Sequence, residues 1–325
     1  MSQGRSLRLF LVDGTPNGLL TAEIMNWTGH VLTGPRSKLA ELVQRPECAR
    51  TGVYFLVGPD PDNSLRSKVY IGESDDVAKA VRLIVYEGKG RLKTLREQVG
   101  QKGYASGFEG LVEYLSALLP RNEVIGKALR KEVPMYPDLA VRELIANALI
   151  HQDFSVSGAG PMVEIFEDRL EITNPGEPLV DVDRFLDSPP RSRNEALASF
   201  MRRVGVCEER GSGVDKVVFE TEFFQLPPPR WERPDGSLRV VLFAHRALKA
   251  MDKLERAHAC YLHACLRYVL RDPMTNTSLR ERFGIDAHNS ATASRIIRDA
   301  LEAKLIKPYE EGQAKKNSRY LPYWA

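Results

Sequence analysis

Residues 143–151 read Glu-Leu-Ile-Ala-Asn-Ala-Leu-Ile-His, a run whose only strongly polar side chains before the histidine stand four apart. Four residues are close to one helical turn, so Glu143 and Asn147 project from the same face of a helix. Leu144, Ile145, Ala148, Leu149 and Ile150 cover the remaining surface, which predicts a mostly buried helix carrying one polar stripe. A carboxylate and an amide on such a stripe suit a hydrated divalent cation and a nucleotide phosphate. On this segment alone, an ordinary amphipathic helix with its polar side in water reads equally well. The residues downstream separate the two readings.

Val163-Glu-Ile-Phe and Arg169-Leu-Glu-Ile-Thr are alternating runs joined by the acidic pair Glu167-Asp168, the pattern of a β-hairpin. The hairpin ends in Asn174-Pro175-Gly176. Proline stops the ladder there, and glycine permits a backbone conformation or a close approach that a side chain would forbid. The stretch from Glu177 to Arg193 is polar, contains prolines and is too irregular for a strand; with the helical run Asn194 to Arg203 it reads as a lid. Gly211, Ser212 and Gly213 then open another helical pattern, leaving backbone N–H groups free to meet phosphate oxygens with the help of the helix dipole.

A helix with Glu and Asn, a hairpin ending in a glycine turn, an irregular segment and a Gly-x-Gly loop, in that order, resemble the nucleotide site of the GHKL superfamily. This is the ATP-binding fold shared by gyrase, MutL and the histidine kinases. Within it, ELIANALIHQDF, EIFEDRLEITNPGEPL and RNEALASFMRRVGVCEERGSGVDKV look like the RecG-like ATP-binding proteins described as transcriptional regulators, in which a Schlafen AlbA-type domain often precedes the ATP module. The resemblance covers residues 82–325. It implies a GHKL (Bergerat) α/β sandwich over residues 136–250 that binds ATP with Mg2+. Glu143 would orient the attacking water, Asn147 would hold magnesium, Gly176 would lie near the adenine, and Gly211, Ser212 and Gly213 would surround the phosphates. Residues 82–135 would be a connecting region holding the remains of the upstream domain, with a flexible junction over Gly100–Gly110 and helices at Phe108–Leu119 and Asn122–Arg130.

One position departs from the superfamily pattern. The adenine-reading aspartate, two positions before the first glycine, aligns with Asn174. An amide accepts from an exocyclic amine more weakly than a carboxylate, so nucleotide binding is better supported than adenine specificity. Asp153, Asp168 and Asp181 are acids that could substitute, but they read first as turn or surface residues. His151, at a helix end, reads as a capping or packing group. Arg191 and Arg193, in the lid, either meet a terminal phosphate or are solvated.

The C-terminal part has a second pattern. Arg256 to Arg271 predicts a helix, Asn276 to Phe283 a second ended by Gly284, and Ser290 caps a third running to Ile306. With possible strands at Ile306-Lys-Pro-Tyr and Arg319-Tyr-Leu-Pro-Tyr-Trp, residues 251–325 look like a winged helix-turn-helix, which sets its later helix in the major groove of double-stranded DNA. Residues 253–325 hold 13 Lys or Arg against 8 Asp or Glu, a net of +5, whereas the whole chain carries +3. Basic charge is thus gathered where phosphate would be met. Thr292, Ser294, Arg295 and Arg298 are the groove-facing candidates, with Lys315, Lys316 and Arg319 on the wing. A winged helix serving as a dimer or partner module remains the alternative.

Residues 1–81 belong to a different pattern. Thr51-Gly-Val-Tyr-Phe-Leu-Val-Gly and Lys68-Val-Tyr-Ile-Gly-Glu-Ser are strand-like runs separated by a polar loop from Pro59 to Ser67, and they resemble the first two motifs of the GIY-YIG nucleases. In that family two tyrosines, here Tyr54 and Tyr70, help activate water, an arginine on the next helix steadies the phosphate, and a later glutamate holds the metal. The arginine position falls on Ala80, with Arg82 displaced by two residues, and the glutamate-bearing helix is missing. Without its metal ligand such a phosphodiesterase lacks the group that stabilises developing charge. The segment therefore reads as a truncated, inactive nuclease fold, and two ordinary hairpin strands are the plainer alternative.

Hydrophobic residues make up 43% of the chain, enough for real cores, and no apolar run approaches the roughly 18 residues of a membrane span. A cytoplasmic protein is expected. His258, Cys260, His263 and Cys265 invite a zinc reading, but on one helix they spread over several faces, which favours buried helix residues. The functions these patterns support are an ATP-binding, DNA-binding regulator acting as a homodimer, with weak ATPase activity; a GIY-YIG endonuclease; or an interaction module that binds nucleotide without turnover.

Overall fold

The computed structural model describes residues 7–24, 30–42, 45, 53–60, 63–73, 81–100, 104–125, 130–156, 159–207, 213–312 and 318–325. They fall into two compact units, residues 1–80 with 101–106 and residues 81–100 with 107–325. In the first, β1 (Leu7–Leu11), β2 (Leu20–Ile24) and β3 (His30–Thr33) form an antiparallel sheet, followed by the short helix α1 (Leu39–Leu42). β4 (Val53–Asp60) and β5 (Asn63–Glu73) pair as a separate antiparallel hairpin. Its ladder runs through much of the expected Pro59–Ser67 loop, with Pro59 opposite Ser67. Both strands of a lone hairpin are edges, so a residue without an N–H is tolerated there.

The second unit is α/β. Its elements are β6 (Arg82–Tyr86), β7 (Thr94–Val99), α2 (Tyr104–Leu118), β8 (Arg121–Ile125), β9 (Arg130–Pro134), α3 (Asp138–His151), β10 (Met162–Ile165), β11 (Arg169–Pro175), α4 (Glu195–Arg203), α5 (Gly213–Phe223), β12 (Arg230–Glu232) and β13 (Ser237–Phe243). One six-stranded sheet runs in the order β12-β13-β11-β10-β6-β7, with β10 parallel to β6 and the other neighbours antiparallel. Helices α3 and α5 pack together, and α3 packs against β11.

Three stretches differ from the sequence reading. Residues 82–99, read as part of a connection, supply two strands of the central sheet. Their apolar run Leu83-Ile84-Val85 finds its partner at Met162–Ile165, some eighty residues away, a pairing no local pattern reveals. The expected flexible junction gives way from Tyr104 to α2, whose apolar contacts outweigh the helix cost of Gly107 and Gly110. Asn122–Arg130, expected as a helix, instead contributes to the hairpin of β8 and β9, in which Ile125 pairs with Arg130. Short segments with Val and Ile between polar residues fit either period.

Alternation explains two carboxylates inside the sheet. Val163 and Ile165 face Ile172 and Leu170 on one side, while Glu164 pairs with Glu171 on the other, and both glutamates are buried. Arg91 holds the pair together, 2.7 Å from Glu164 and 2.8 Å from Glu171, and Arg169 lies 2.6 Å from Glu171. Two adjacent buried carboxylates are tolerable because guanidinium groups neutralise them directly.

After β13 come α6 (Lys253–Val269), β14 (Met274–Thr275), α7 (Asn276–Phe283), α8 (Ser290–Glu302), β15 (Ile306–Pro308) and β16 (Arg319–Pro322), with the last strand central in a sheet ordered β14-β16-β15. Helix α6 opens with a reciprocal cap in which Glu255 N donates to Asp252 at 2.8 Å and Asp252 N to Glu255 at 3.0 Å. Gly284, at φ +61°, ends α7 in the left-handed region. Ser290 is the first residue of α8, reached through a single 3-10 turn, and the helix takes no side-chain cap from the preceding Asn289. The anticipated Ser290 cap is therefore absent.

The four Cys and His residues of α6 behave as packing groups. Cys260 and Cys265 are buried, Cys260 lies 3.7 Å from the Met274 sulfur, and both ring nitrogens of His263 are engaged, Nδ1 with Glu222 at 2.9 Å and Nε2 with Ser278 Oγ at 3.0 Å. Leu186 and Val218 join the apolar cluster formed by α6, α7 and α8, so its core continues into the part that carries the six-stranded sheet. No helix among the described residues is long and apolar enough to cross a membrane.

Candidate functional site

The register of the sheet sets the floor of a cavity. Ile172 stands opposite Val240 and Asn174 opposite Leu238, while Trp231 stands opposite the same Val240. Residues directly opposite share a face, so these side chains lie together beneath a cavity of about 760 Å³. Its walls come from α3, the segment 176–193, α4 and the start of α5. The volume suits a nucleotide, since small-molecule sites run to roughly 300–1,000 Å³.

Glu143 and Asn147 both line the cavity from α3, whose other faces are buried through Ala140, Val141, Leu144, Ile145, Ala148 and Leu149. Gly213 brings α5 against this stripe: a Cβ there would lie 2.8 Å from Glu143 Oε2 and 3.3 Å from Asn147 Nδ2. A side chain there would displace the ends of the Glu143 and Asn147 side chains. Lys216, one turn further along α5, places its Nζ 3.6 Å from Glu143 Oε1. Beside it, Asp215 Oδ1 is buried without a hydrogen-bond partner among the described residues, and burial pushes this carboxyl up to about 6.

At the far end Gly176 takes φ +107°, and the position of its missing Cβ is 2.9 Å from Asp153 Cβ and 3.3 Å from Arg193 Nε. The glycine thus makes room for the protein's own side chains as well as facing the cavity. Asn174 is only 5% exposed and donates through Nδ2 to the Pro175 carbonyl at 3.3 Å. His151 also lines the cavity. Burial, with Arg193 adding to it, lowers its pKa, so the ring is neutral at pH 7.

The two lid arginines have different fates. Arg193 donates from Nε to the His151 carbonyl at 3.1 Å and from another nitrogen to the Glu177 carbonyl, and lies 3.5 Å from the Asp153 carboxylate. Its guanidinium is thus engaged by the protein, where the sequence left it between a terminal phosphate and solvent. Asn194 follows with Nδ2 donating to the Ile150 and Gln152 carbonyls at 2.7 and 2.8 Å. These two residues satisfy the acceptors that the end of α3 would otherwise leave orphaned. Arg191 is exposed and lines the cavity.

The middle of the lid is fastened to the C-terminal part. Tyr261 Oη donates to the Asp183 carbonyl, Trp324 Nε1 donates to Tyr261 Oη at 3.0 Å, and Tyr323 Oη meets Asp183 Oδ2 at 3.3 Å. The Arg184 guanidinium lies 4.8 Å from the centre of the Trp324 ring. Between these contacts Phe185 turns back to the cavity, where it meets Trp231 edge-on at 6.1 Å.

Sequence reading missed Arg202, Cys207, Lys216, Phe185 and Trp231, all of which line the cavity. Lys216 was recoverable, being three residues after Gly213 and so on its helical face. Trp231 was not, because the short β12 carries no alternation of its own.

The other candidates are placed as follows. On α8, Ser294, Arg295 and Arg298 are exposed and Thr292 is half-buried. Ser294 Oγ accepts from Asn276 at 3.0 Å, Arg295 donates to Thr292 at 3.2 Å, and Arg298 sits 3.6 Å from Glu302. Arg319 is exposed on β16. Tyr54 stands opposite Gly72 and Tyr70 opposite Leu56 in the β4–β5 hairpin. Arg82 is on a strand, not on the helix that the nuclease resemblance requires, and pairs with Glu97 at 3.5 Å. Gly211, Ser212, Lys315 and Lys316 lie outside the described residues.

No curated protein matches the chain. The crystal structure of the DIP2311 protein from Corynebacterium diphtheriae is similar in fold, with a TM-score of 0.50 and 24% sequence identity over 75% of this chain and 51% of that one. The chain thus spans about half the length of that structure. Residues 158–242, from just before β10 to the end of the β13 apolar run, match the family model described as "Putative ATP-dependent DNA helicase recG C-terminal", so this part of the chain is similar to an ATPase-type domain.

Proposed function

We propose that the chain binds ATP with Mg2+ in the cavity between α3, the lid and α5, and that nucleotide state sets how a C-terminal winged helix meets double-stranded DNA. The supporting observation is the convergence of Glu143, Asn147, Asn174, Gly176, Arg191 and Gly213, chosen from separated motifs, on one cavity. Its apolar end, with Trp231, Phe185, Leu238 and Val240, suits a base, and the Glu143 end suits phosphates. Among the described residues no group of three or more His, Cys, Asp or Glu could hold a metal alone. A single amide beside the start of α5 fits magnesium, which keeps its waters and binds through few protein ligands. Asn147 would hold the ion, which supplies charge neutralisation at the phosphates. Glu143 would accept a hydrogen bond from the attacking water and orient it. Lys216 neutralises that carboxylate until water and nucleotide arrive.

The lid offers a route outward, since Phe185 faces the base end while Asp183 and Leu186 are held by α6 and residues 323–324. The winged-helix reading is supported by the order α7, α8, β15, β16, by the exposed Arg295, Arg298 and Arg319, and by the net charge of +5 in residues 253–325. Two such modules presented by a homodimer would match a two-fold DNA site.

The test is titration of a fluorescent ATP analogue. Asn147→Ala is expected to abolish magnesium-dependent binding, and Glu143→Ala to keep binding while losing slow hydrolysis. Binding unchanged in Asn147→Ala overturns the assignment, and hydrolysis unchanged in Glu143→Ala removes the role of the carboxylate.

A further inference from the structure

Among the described residues four cations line the cavity: Arg191, Arg193, Arg202 and Lys216. Arg193 is engaged by His151, Glu177 and Asp153, and Lys216 lies against Glu143. Arg191 is exposed at the cavity mouth. Arg202 differs from all three. It is half-buried on the last turn of α4, and its guanidinium makes no hydrogen bond or ion pair among the described residues. Its end of the cavity is fixed by Cys207, whose thiol feels both the positive charge of Arg202 and the negative charge of Glu143 while burial raises its pKa. A half-buried guanidinium lining the cavity at this end is placed to meet an anion, and its planar fork matches phosphate oxygens two at a time.

We infer that Arg202 is the residue that reads the terminal phosphate of the bound nucleotide, so that it distinguishes a triphosphate from a diphosphate. This rests on the nucleotide reading above and adds a role that neither the glycine loop nor α3 supplies. The lid helix then carries the discriminating group. Loss or gain of one phosphate is felt at α4, whose chain neighbours Arg193 and Asn194 cap α3.

Affinities of the full chain for ATP and for ADP, each with Mg2+, test this by titration calorimetry. Arg202→Ala is expected to weaken ATP about tenfold or more, the size of a lost charged hydrogen-bond pair, while ADP changes less than about twofold. Arg202→Lys should recover part of the ATP affinity. Arg203→Ala, which removes an exposed charge from the same helix, should leave both ligands unchanged and so controls for folding and for net charge. Equal losses for ATP and ADP in Arg202→Ala, no loss for either, or the same pattern in Arg203→Ala overturns the inference. A wild-type chain that binds neither nucleotide sinks the underlying reading as well, and a wild type that binds ATP separates the two failures.

Discussion

At the scale of single residues, groups in and around the site have their ordinary partners missing or taken. Asp215, next to the cavity-lining Lys216, is the clearest case, a carboxyl in the first turn of α5 with a buried oxygen that has no donor among the described residues, pushed from 3.8 up to about 6 by burial. An acid whose folded pKa is raised stabilises the fold while protonated. That contribution is fully present below pH 3.8 and is lost as pH rises through about 6. Asp215→Asn is therefore expected to raise the melting temperature at pH 8 and to change it little at pH 4; an equal shift at both values would show that charge burial is not the cause. The residues that sequence revealed best were Glu143 and Asn147, because helical spacing alone puts them on one face. Arg202 was invisible for the converse reason: nothing within α4 distinguishes it from Arg203, and only the fold turns one inward and the other to solvent.

At the scale of elements, the helices that read clearly are those with a strong period and chemical punctuation. Helix α6 was legible by its apolar face and α7 by Gly284, whereas the capping boxes that open them, Asp252 with Glu255 and Thr275 with Ser278, were not read from the sequence. The hairpin of β10 and β11 was legible because both strands and their turn are adjacent. What escaped were β6, β7 and β12, whose identity depends on partners far away in the chain, and β8–β9, whose short runs satisfy helix and strand patterns alike. The end of α3 shows how elements hold each other, because its last carbonyls are bonded by a side chain from the start of α4. Asn194→Ala removes the donor shared by the Ile150 and Gln152 carbonyls and is expected to cost about 1 kcal/mol of stability, measurable by urea unfolding. It should also hasten nucleotide release, since the same helix carries Glu143 and Asn147; an unaltered release rate would show that capping and site geometry are independent.

At the scale of the whole molecule, a segment between the ATPase-like sheet and the C-terminal helices touches both. The bonds from Tyr261, Tyr323 and Trp324 to the lid are what would let a nucleotide alter DNA affinity. ATP is expected to change the affinity of the wild type for a DNA duplex, measured by fluorescence anisotropy, with binding that weakens steeply as salt rises. Trp324→Ala should retain binding of both ligands while shrinking that change. A wild type indifferent to ATP, or an undiminished response in the variant, would remove the coupling. The order of helix α3, the β10–β11 hairpin and helix α5 was legible in the motifs. The contacts between modules were not, because aromatic residues near 323 carry no local sign of a partner near 183.

The lid is staked along its length: Gly176 donates its N–H to the Gly236 carbonyl at 2.8 Å, Asp181 accepts from Arg233 at 3.2 Å, Asp183 is held by Tyr261 and Tyr323, and Arg193 and Asn194 clasp α3. Seventeen residues that look like one long loop are therefore two short arcs, 177–180 and 187–192, each anchored at both ends. Closing entropy grows with the length of chain left free, so dividing the loop lowers the cost of ordering it. In related chains, insertions and deletions should accumulate within these arcs and avoid the stakes, giving the lid a variable outline on invariant footings.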